Sequence, residues 1–269
     1  MTIDQTDSDV IKEIELPEDI KDKAHPWRVC PIGKHYVRTH VLHIPPSKKH
    51  PEGQVVTRHA HCADNPSHKD VLSYDELQII AKTHFLGLVG APKAGVLTKF
   101  PRADEFDLHI RGWVHYWNDI FHPQEPLDPN LVKALIASES SFRPEQDTPQ
   151  STTEKNKKIG HACGLMQITE STLKIIGAHK GEIKDHLIHI THKEIMDPSA
   201  NICVGIRWLF TKKTTARERL HHTATWDDAV AEYKGILKAI VENKDPHHNP
   251  DPYNEMPKFR SFYKKLQES

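Results

Sequence analysis

Apolar residues recur every three or four positions from Ala103 onwards, and this spacing constrains the fold more than any other feature of the chain. A first stripe comprises Phe106, Ile110, Trp113, Val114, Trp117 and Ile120. Such spacing puts the apolar side chains on one face of an α-helix, which then packs against a core. Similar patterns predict helices over residues 129–138, 199–212, 226–236 and 257–266. Because the C-terminal two-thirds shows no strong strand signal, we predict that it is mainly α.

The starts of two helices are marked by capping residues. Asp128 precedes Pro129, and an acidic N-cap followed by proline is typical of a helix start. Ser73 and Glu76 have the spacing of a capping box, in which the two side chains each accept a bond from the other residue's backbone amide. We therefore predict a short helix after Ser73, ahead of the long helical region.

The chain before Ala103 has a different composition. Residues 1–24 form an acidic leader, which we expect to be flexible. Residues 25–102 are rich in Pro, His and Lys and contain short β-favouring runs, which predict a small, loop-rich α+β accessory domain. Residues 103–269 then form the main α-helical domain.

Cysteine and histidine side chains cluster in the accessory domain. Thiolate and imidazole groups are the usual ligands of zinc, so Cys30, His59, His61 and Cys62 are candidate ligands for a structural zinc ion. Their spacing matches no standard zinc pattern. A Cys30–Cys62 disulfide is a comparable alternative for a protein that works in an oxidising compartment. The sequence leaves both alternatives open.

The charge balance argues against a nucleic-acid partner. The chain has 36 Lys and Arg against 37 Asp and Glu, a formal net charge of -1, whereas binding a phosphate backbone needs a clear excess of basic residues. No apolar stretch approaches the ~20 residues that span a bilayer, so we expect no membrane insertion. The acidic leader also lacks the apolar region of a signal peptide, and we expect the protein to be made in the cytoplasm without one.

An apolar helical run leads directly to a carboxylate at Glu139. Residues 134–137 are apolar, Ser140 and Ser141 follow Glu139, and Phe142 precedes a break. At the C-terminal end of a buried helix, the helix dipole and apolar walls favour the protonated form of a carboxylic acid. A protonated carboxyl group near neutral pH is what a general acid needs to protonate a glycosidic oxygen.

Three further blocks follow in the sequence. They are Gly164-Leu165-Met166-Gln167, then Asp197-Pro198 with Asn201-Ile202 and Gly205, then Tyr233-Lys234-Gly235. Together with Glu139-Ser140-Ser141-Phe142, these blocks resemble the soluble lytic transglycosylase (SLT) family over about residues 128–238. The resemblance implies a mainly α fold, in which a lysozyme-like domain of the goose type follows the small α+β N-terminal unit.

The resemblance also implies a muramidase that cuts the β-1,4 bond between N-acetylmuramic acid and N-acetylglucosamine. Its catalytic acid/base maps to Glu139, which would first donate a proton and then accept one from the sugar's own 6-hydroxyl, leaving a 1,6-anhydro end. No cofactor is required for this chemistry. Met166, Gln167 and Tyr233 map to positions that line the family's glycan groove. We add Ser140 and Thr148 to the predicted substrate-binding set.

The chain departs from the family pattern in two places. It is longer than usual between Glu139 and Gly164, where the polar, Lys-rich residues 150–160 predict either a surface loop or a flap over the groove. Lys234 also stands where the family has Asn. Glu145 and Asp147 follow Glu139 closely and could place a second carboxylate across the groove. In that role Asp147 would reopen the question of product, because an inverting hydrolase needs two carboxyl groups ~6.5–9.5 Å apart with a water between them. Otherwise Asp147 is a turn residue.

The leading hypothesis is therefore a peptidoglycan-cleaving enzyme, most simply a lytic transglycosylase. A lysozyme-type hydrolase and a catalytically idle peptidoglycan-binding or adaptor module are the alternatives. Because the substrate lies outside the cytoplasm, we expect delivery to the periplasm or cell wall of a target cell by a route other than a signal peptide. An antibacterial secreted effector is the preferred hypothesis, with a secretion-machine component and a cognate immunity protein as expected partners.

Overall fold

A computed structural model of the chain describes residues 26–66, 68–149, 160–242 and 249–269. The predicted acidic leader over residues 1–24 lies outside these ranges. So does nearly all of the Lys-rich stretch predicted as a loop or flap, of which Gly160 alone is described.

Helices dominate the described residues, as the apolar periodicity predicted. They are α1 (Tyr74–His84), α2 (Asp107–Phe121), α3 (Pro129–Glu139), α4 (Glu170–Ile176), α5 (Pro198–Leu220), α6 (Trp226–Tyr233), α7 (Leu237–Glu242) and α8 (Glu255–Glu268), with a 3-10 turn over Glu194–Met196. None of them combines the length and apolar character that crossing a bilayer requires. The mainly α fold class is confirmed.

Capping side chains start the helices where the sequence indicated. The side chain of Asp128 accepts a bond from Asn130 N at the start of α3. Thr225 forms a reciprocal capping box with Asp228 at the start of α6. Ser73 caps α1 by accepting from the backbone of Glu76, but the Glu76 carboxylate binds Arg28 instead of returning to the cap. The box predicted at α1 is therefore one-sided.

Two helix ends differ from the prediction. α5 continues to Leu220 rather than stopping near residue 212, because polar residues on its exposed C-terminal turns carry no apolar signal yet remain helical. α6 ends at Tyr233 rather than residue 236, because Gly235 has a φ of +73°. This left-handed conformation, which glycine adopts without strain, breaks the helix.

Within the described ranges, short strands form four small sheets. The strands are β1 (Lys34–Val37), β2 (His40–Ile44), β3 (Gln54–Arg58), β4 (His61–Asp64), β5 (Val71–Ser73), β6 (Asp147–Pro149), β7 (His161–Cys163), β8 (Ile168–Thr169) and β9 (Leu187–His189). β1 pairs with β4, β2 with β3, and β6, β7 and β8 form an antiparallel three-stranded sheet. β5 pairs in parallel with β9. The strands after β5 were missed because two or three residues are too few for an alternation pattern.

A single large apolar core extends across the predicted domain boundary at residue 102. It includes Leu72 and Ile80 on one side of that boundary and Trp113 and Trp117 on the other. The two indole N–H groups reach α5, where Trp113 Nε1 donates to Ser199 Oγ at 2.9 Å and Trp117 Nε1 to the carbonyl of Cys203 at 3.0 Å. α1 and β5 therefore belong to the main body, and the separate N-terminal unit consists of the chain before them.

A second, small apolar cluster joins the N-terminal unit to Ile79 of α1, and it contains a disulfide. Cys30 and Cys62 are bonded to each other, and the buried apolar residues packed with them are few. The structure thus contains the disulfide rather than the zinc site that also used these sulfurs, and no group of three or more metal-binding side chains assembles within the described ranges. Of the other two candidate ligands, His61 uses its ring to bond the backbone carbonyl of His59 at 2.9 Å.

A buried ion-pair network joins the N-terminal unit to the main body. The guanidinium of Arg28 contacts the carboxylates of Asp70 and Glu76, and all three side chains are almost fully buried. His186, in the loop before β9, bonds the other oxygen of Asp70 at 2.8 Å. Because a buried charge without its partner is strongly destabilising, these contacts hold the two parts together.

Candidate active site

Helix α3 presents Glu139 at the end of a fully buried apolar segment. Residues 134–137 have no exposed surface, so the helix axis is fixed by packing on all sides. Immediately beyond Glu139, Ser141 and Phe142 adopt positive φ values of 55° and 61°, which stops the helix. The ring of Phe142 is buried against Phe100, with centroids 5.5 Å apart. The carboxylate is thereby held at a rigid helix end, where its side chain is 17% exposed.

A tight turn carries Met166 and Gln167 between β7 and β8. Gly164 and Gln167 both have positive φ values, 72° and 49°, and the Gln167 side chain donates back to the carbonyl of Gly164 at 2.9 Å. The turn rests on Asn201 of α5, whose side-chain oxygen Oδ1 accepts a hydrogen bond from Met166 N at 2.8 Å.

The same asparagine holds two neighbouring segments. Its side-chain nitrogen Nδ2 donates to the backbone carbonyl of Cys163 at 2.9 Å and to that of Ile195 at 3.0 Å. Gly205, one helical turn further along α5, leaves room for the Met166 side chain, since a Cβ at this glycine would lie 2.2 Å from the Met166 sulfur. Asn201 and Gly205, which are separated in the third sequence block, thus support the Met166–Gln167 turn of the second block.

Tyr233, at the end of α6, links this turn to Glu139. Its hydroxyl donates to the carbonyl of Met166 at 2.6 Å. Burial, followed by the negative charge of Glu139, raises the pKa of Tyr233 well above its usual range. The hydroxyl therefore stays protonated and keeps the Met166–Gln167 turn at a fixed position beside the carboxylate.

Lys234 contacts Glu139 directly. Its ammonium group pairs with Oε1 of Glu139 and lies 3.2 Å from Oε2 of Glu255 at the start of α8. The Lys234 side chain is 3% exposed, so this is a buried cation between two carboxylates. Apolar walls around Glu139 were predicted from the sequence, whereas the structure adds a charged partner.

The remaining predicted site residues fall into two groups. Thr148, Gln167 and Tyr233 are partly exposed, and Gln146 joins the first two by donating from Nε2 to Thr148 Oγ1 at 3.1 Å and, more weakly, to Gln167 Oε1 at 3.5 Å. Ser140 and Met166 are buried, with 1% and 0% of their surfaces exposed. The Ser140 hydroxyl faces the Ile136 carbonyl inside its own helix.

Burial leaves the predicted substrate-binding roles of Ser140 and Met166 as predictions. The Met166 side chain packs against Gly205 of α5, and Ser140 completes the last turn of α3.

Asp147 lies on β6, where its side chain is 43% exposed and pairs with His161 Nδ1 of β7 at 2.7 Å. Cys163, two residues after His161 on β7, has its Sγ 3.8 Å from the same oxygen of the Asp147 carboxylate. Burial, followed by the charge of Asp147, raises the pKa of Cys163 to about 11, so its thiol is protonated at neutral pH and is a poor nucleophile. Asp147 is accessible, but it already has a partner.

Three residues of the site were not predicted from the sequence as contacts of the catalytic residue or of the predicted binding residues. Lys234 gave a signal, because it departs from the resembled Tyr-Asn-x-Gly pattern. Glu255 gave none, since it lies on a separate helix, 116 positions after Glu139 by their residue numbers. Gln146 is a polar residue in a polar loop and has no distinguishing pattern.

The four sequence blocks therefore converge on one site at the end of α3. A comparison with protein families bears on what that site is: the family described as "Transglycosylase SLT domain" matches residues 122–254. This part of the chain belongs to the SLT family. No curated protein and no solved structure matches the chain significantly.

The SLT match covers about half of the chain and includes every residue of the site described above except Glu255. Membership of this family assigns the protein to the lytic transglycosylase type of enzyme, with peptidoglycan of the cell wall or periplasm as the substrate. The suspected family is confirmed, whereas the roles predicted for individual residues stay predictions.

Proposed function

We propose that this protein cleaves the β-1,4 bond between N-acetylmuramic acid and N-acetylglucosamine with Glu139 as its single acid/base, and leaves a 1,6-anhydro end. The observation that carries the proposal is the convergence at Glu139. A partly exposed carboxylate on a rigid, buried helix end lies beside the Met166–Gln167 turn, which Tyr233 and Asn201 hold in place.

The chemistry uses one carboxyl group twice. Protonated Glu139 gives its proton to the glycosidic oxygen as the bond from that oxygen to the anomeric carbon breaks. The resulting carboxylate then takes a proton from the 6-hydroxyl of the same sugar, whose oxygen bonds to the anomeric carbon. Because the same group returns to its starting state, the reaction requires no cofactor.

Polar groups beside the carboxylate are suited to hold the substrate. Gln167 and Thr148 are partly exposed and are linked through Gln146. Amide and hydroxyl side chains offer donors and acceptors to the acetamido and hydroxyl groups of a glycan. We propose that these side chains orient the sugar that carries the scissile bond.

A hydrolase is the second candidate, and the accessibility of Asp147 favours keeping it. Asp147 is a partly exposed carboxylate on β6, next to Thr148. If it activated a water molecule across the groove, the product would be a reducing end instead of an anhydro end. Its pairing with His161 counts against that role, because the water would have to displace an existing partner.

The direct test is the product released from purified sacculi. We expect the wild-type protein to release muropeptides with anhydro ends, identified by mass spectrometry, and Glu139→Gln to release at least about 1000-fold less, since an amide cannot exchange the proton. Glu145→Gln is the matched control, because Glu145 lies outside the site and pairs with Arg102. It should behave as the wild type.

Other products would change the assignment. Reducing ends that disappear in Asp147→Asn would establish a hydrolase. Binding to sacculi without any release, by both the wild type and the Glu139 variant, would favour a peptidoglycan-binding or adaptor module on the same fold.

We further propose that the protein acts as an antibacterial effector in the periplasm of a target cell, and that a cognate immunity protein covers the site in the producer. The Cys30–Cys62 disulfide is compatible with an oxidising compartment, and the N-terminal unit offers a surface for a secretion-machine component. Expression directed to the periplasm should lyse cells, and Glu139→Gln should abolish lysis. Cells that lack any candidate immunity gene yet tolerate the exported wild type would contradict the effector role.

A further inference from the structure

The ammonium group of Lys234 distinguishes the two oxygens of the Glu139 carboxylate. Oε1 pairs with Lys234, whereas no residue in the described ranges donates a hydrogen bond to Oε2. Among the residues that the structure describes, one oxygen is thus tied to the protein and the other has no donor.

Lys234 is itself held on its far side. Its side chain is buried, and Glu255 at the start of α8 accepts from it at 3.2 Å. Glu255 lies just beyond the residues that match the SLT family. Asp251 fixes this end of α8, because its carboxylate accepts from the backbone N–H groups of Glu255 and Met256, both at 2.8 Å. The C-terminal helix therefore supplies an anchor that the family match does not include.

We propose that Lys234 is a positioning residue for Glu139: it holds Oε1 and leaves Oε2 to exchange the proton with the substrate, while Glu255 anchors Lys234. This inference rests on the proposed role of Glu139. It assigns no proton transfer to Lys234. The whole proton balance remains between Glu139, the glycosidic oxygen and the sugar hydroxyl.

Lys234 also affects the energy of the reaction. As Glu139 gives up its proton, negative charge develops on the carboxylate, and a fixed ammonium group in contact with it stabilises that charge without reorganising. An interaction that strengthens in the transition state raises kcat rather than substrate affinity. The expected signature is thus a loss of kcat with little change in KM.

The test compares two variants. Lys234→Met keeps a long unbranched side chain but removes its charge, whereas Lys234→Arg keeps the charge. With solubilised glycan strands as the substrate, we expect Lys234→Met to lower kcat by about 30-fold or more and to change KM by less than about 3-fold. The kcat of Lys234→Arg should be at least about 10-fold higher than that of Lys234→Met. Lys258→Met is the matched control. Lys258 donates to the Ser138 carbonyl at the end of α3, the helix that carries Glu139, but it does not bind the Glu139 carboxylate. It should keep kcat within about 2-fold of the wild type.

A double variant separates positioning from simple charge balance and guards against a Lys234→Met protein that fails to fold. In Lys234→Met/Glu255→Gln, both the buried cation and one of its two anions are removed. If Lys234 positions Glu139, the double variant stays slow. A double variant with the kcat of the wild type would mean that Lys234 merely neutralises Glu255, and it would overturn the inference.

The outcomes also distinguish this inference from the proposed function. If Glu139→Gln is inactive while Lys234→Met keeps the kcat of the wild type, the inference alone is wrong. If Glu139→Gln still releases muropeptides, the proposed catalytic role fails, and the inference fails with it.

Discussion

Replacing Asn201 with alanine should destabilise the protein and disable its active site at the same time. The Asn201 side chain is fully buried and makes three hydrogen bonds to backbone groups of three different segments, with Met166 N, the Cys163 carbonyl and the Ile195 carbonyl. Alanine can make none of them. The substitution would leave one buried N–H group and two buried carbonyl groups without this partner, beside a small cavity.

The expected magnitude follows from those three groups. A buried polar group that loses its partner costs about 1–3 kcal/mol. Because the carbonyls can relax and water can enter the cavity, we place the three losses toward the lower end, and expect the free energy of unfolding to fall by about 4 kcal/mol. This is a large part of the ~5–15 kcal/mol typical of a folded domain. The Met166–Gln167 turn would also lose its seat.

Urea unfolding, monitored by tryptophan fluorescence, measures the stability. Muropeptide release, at a temperature where the variant is folded, measures the activity. Asn118→Ala is the matched control, because Asn118 also binds backbone groups with both ends of its amide, accepting from Leu127 N at 2.8 Å and donating to Leu127 O at 3.0 Å, outside the site. It should cost about 1–2 kcal/mol and spare activity. An Asn201→Ala protein within about 1 kcal/mol of the wild type, or one no less active than Asn118→Ala, would refute the reasoning.

Three other perturbations have defined outcomes. Reducing the Cys30–Cys62 disulfide, which closes a loop with a sequence separation of 32, should destabilise the N-terminal unit by about 3–4 kcal/mol. Limited proteolysis should then cut within that unit while the main body stays intact, and cleavage of both parts at equal rates would contradict this. Gly205→Ala should lower the melting temperature and the activity, because its Cβ would meet the sulfur and the Cβ of Met166 at 2.2 and 2.8 Å; Gly87→Ala, with no atom within 4 Å of the new Cβ, is the control. Burial raises the pKa of Asp107 to about 6. Since the folded state then holds this proton more tightly than the unfolded state, stability should fall by about 2 kcal/mol as the pH rises from about 4 to 6. Asp107→Asn should remove that pH dependence, and an unchanged difference in stability between pH 4 and pH 6 would contradict it.

Local signals in the sequence were sufficient to predict most helices. Apolar spacing of three to four residues depends on a helix turning once every 3.6 residues, so α2 and α8 can be recognised without knowledge of what they pack against. Capping residues such as Asp128 act within a few positions of themselves. The order of the four blocks was enough to identify the SLT family, which the family comparison confirmed.

Strands were predicted less well. A strand of two or three residues is stabilised by its partner strand, and the partner of β5 is β9, more than a hundred residues away. The boundary predicted at residue 102 stays a prediction, because contacts between distant parts of the chain decide it. A change in composition marks where the chain becomes helical, but only packing decides that Leu72 and Ile80 join the core formed by the later helices.

The sequence by itself determined the helices, the family and the carboxylate at which the four blocks converge, because each depends on residue types at short, fixed spacings. The tertiary structure decided which side chains surround that carboxylate. It buried the side chains of Ser140 and Met166, and it brought Glu255 of the last helix to the far side of Lys234. Such contacts depend on how distant helices pack, and no spacing along the chain encodes the distance between Glu139 and a residue on α8.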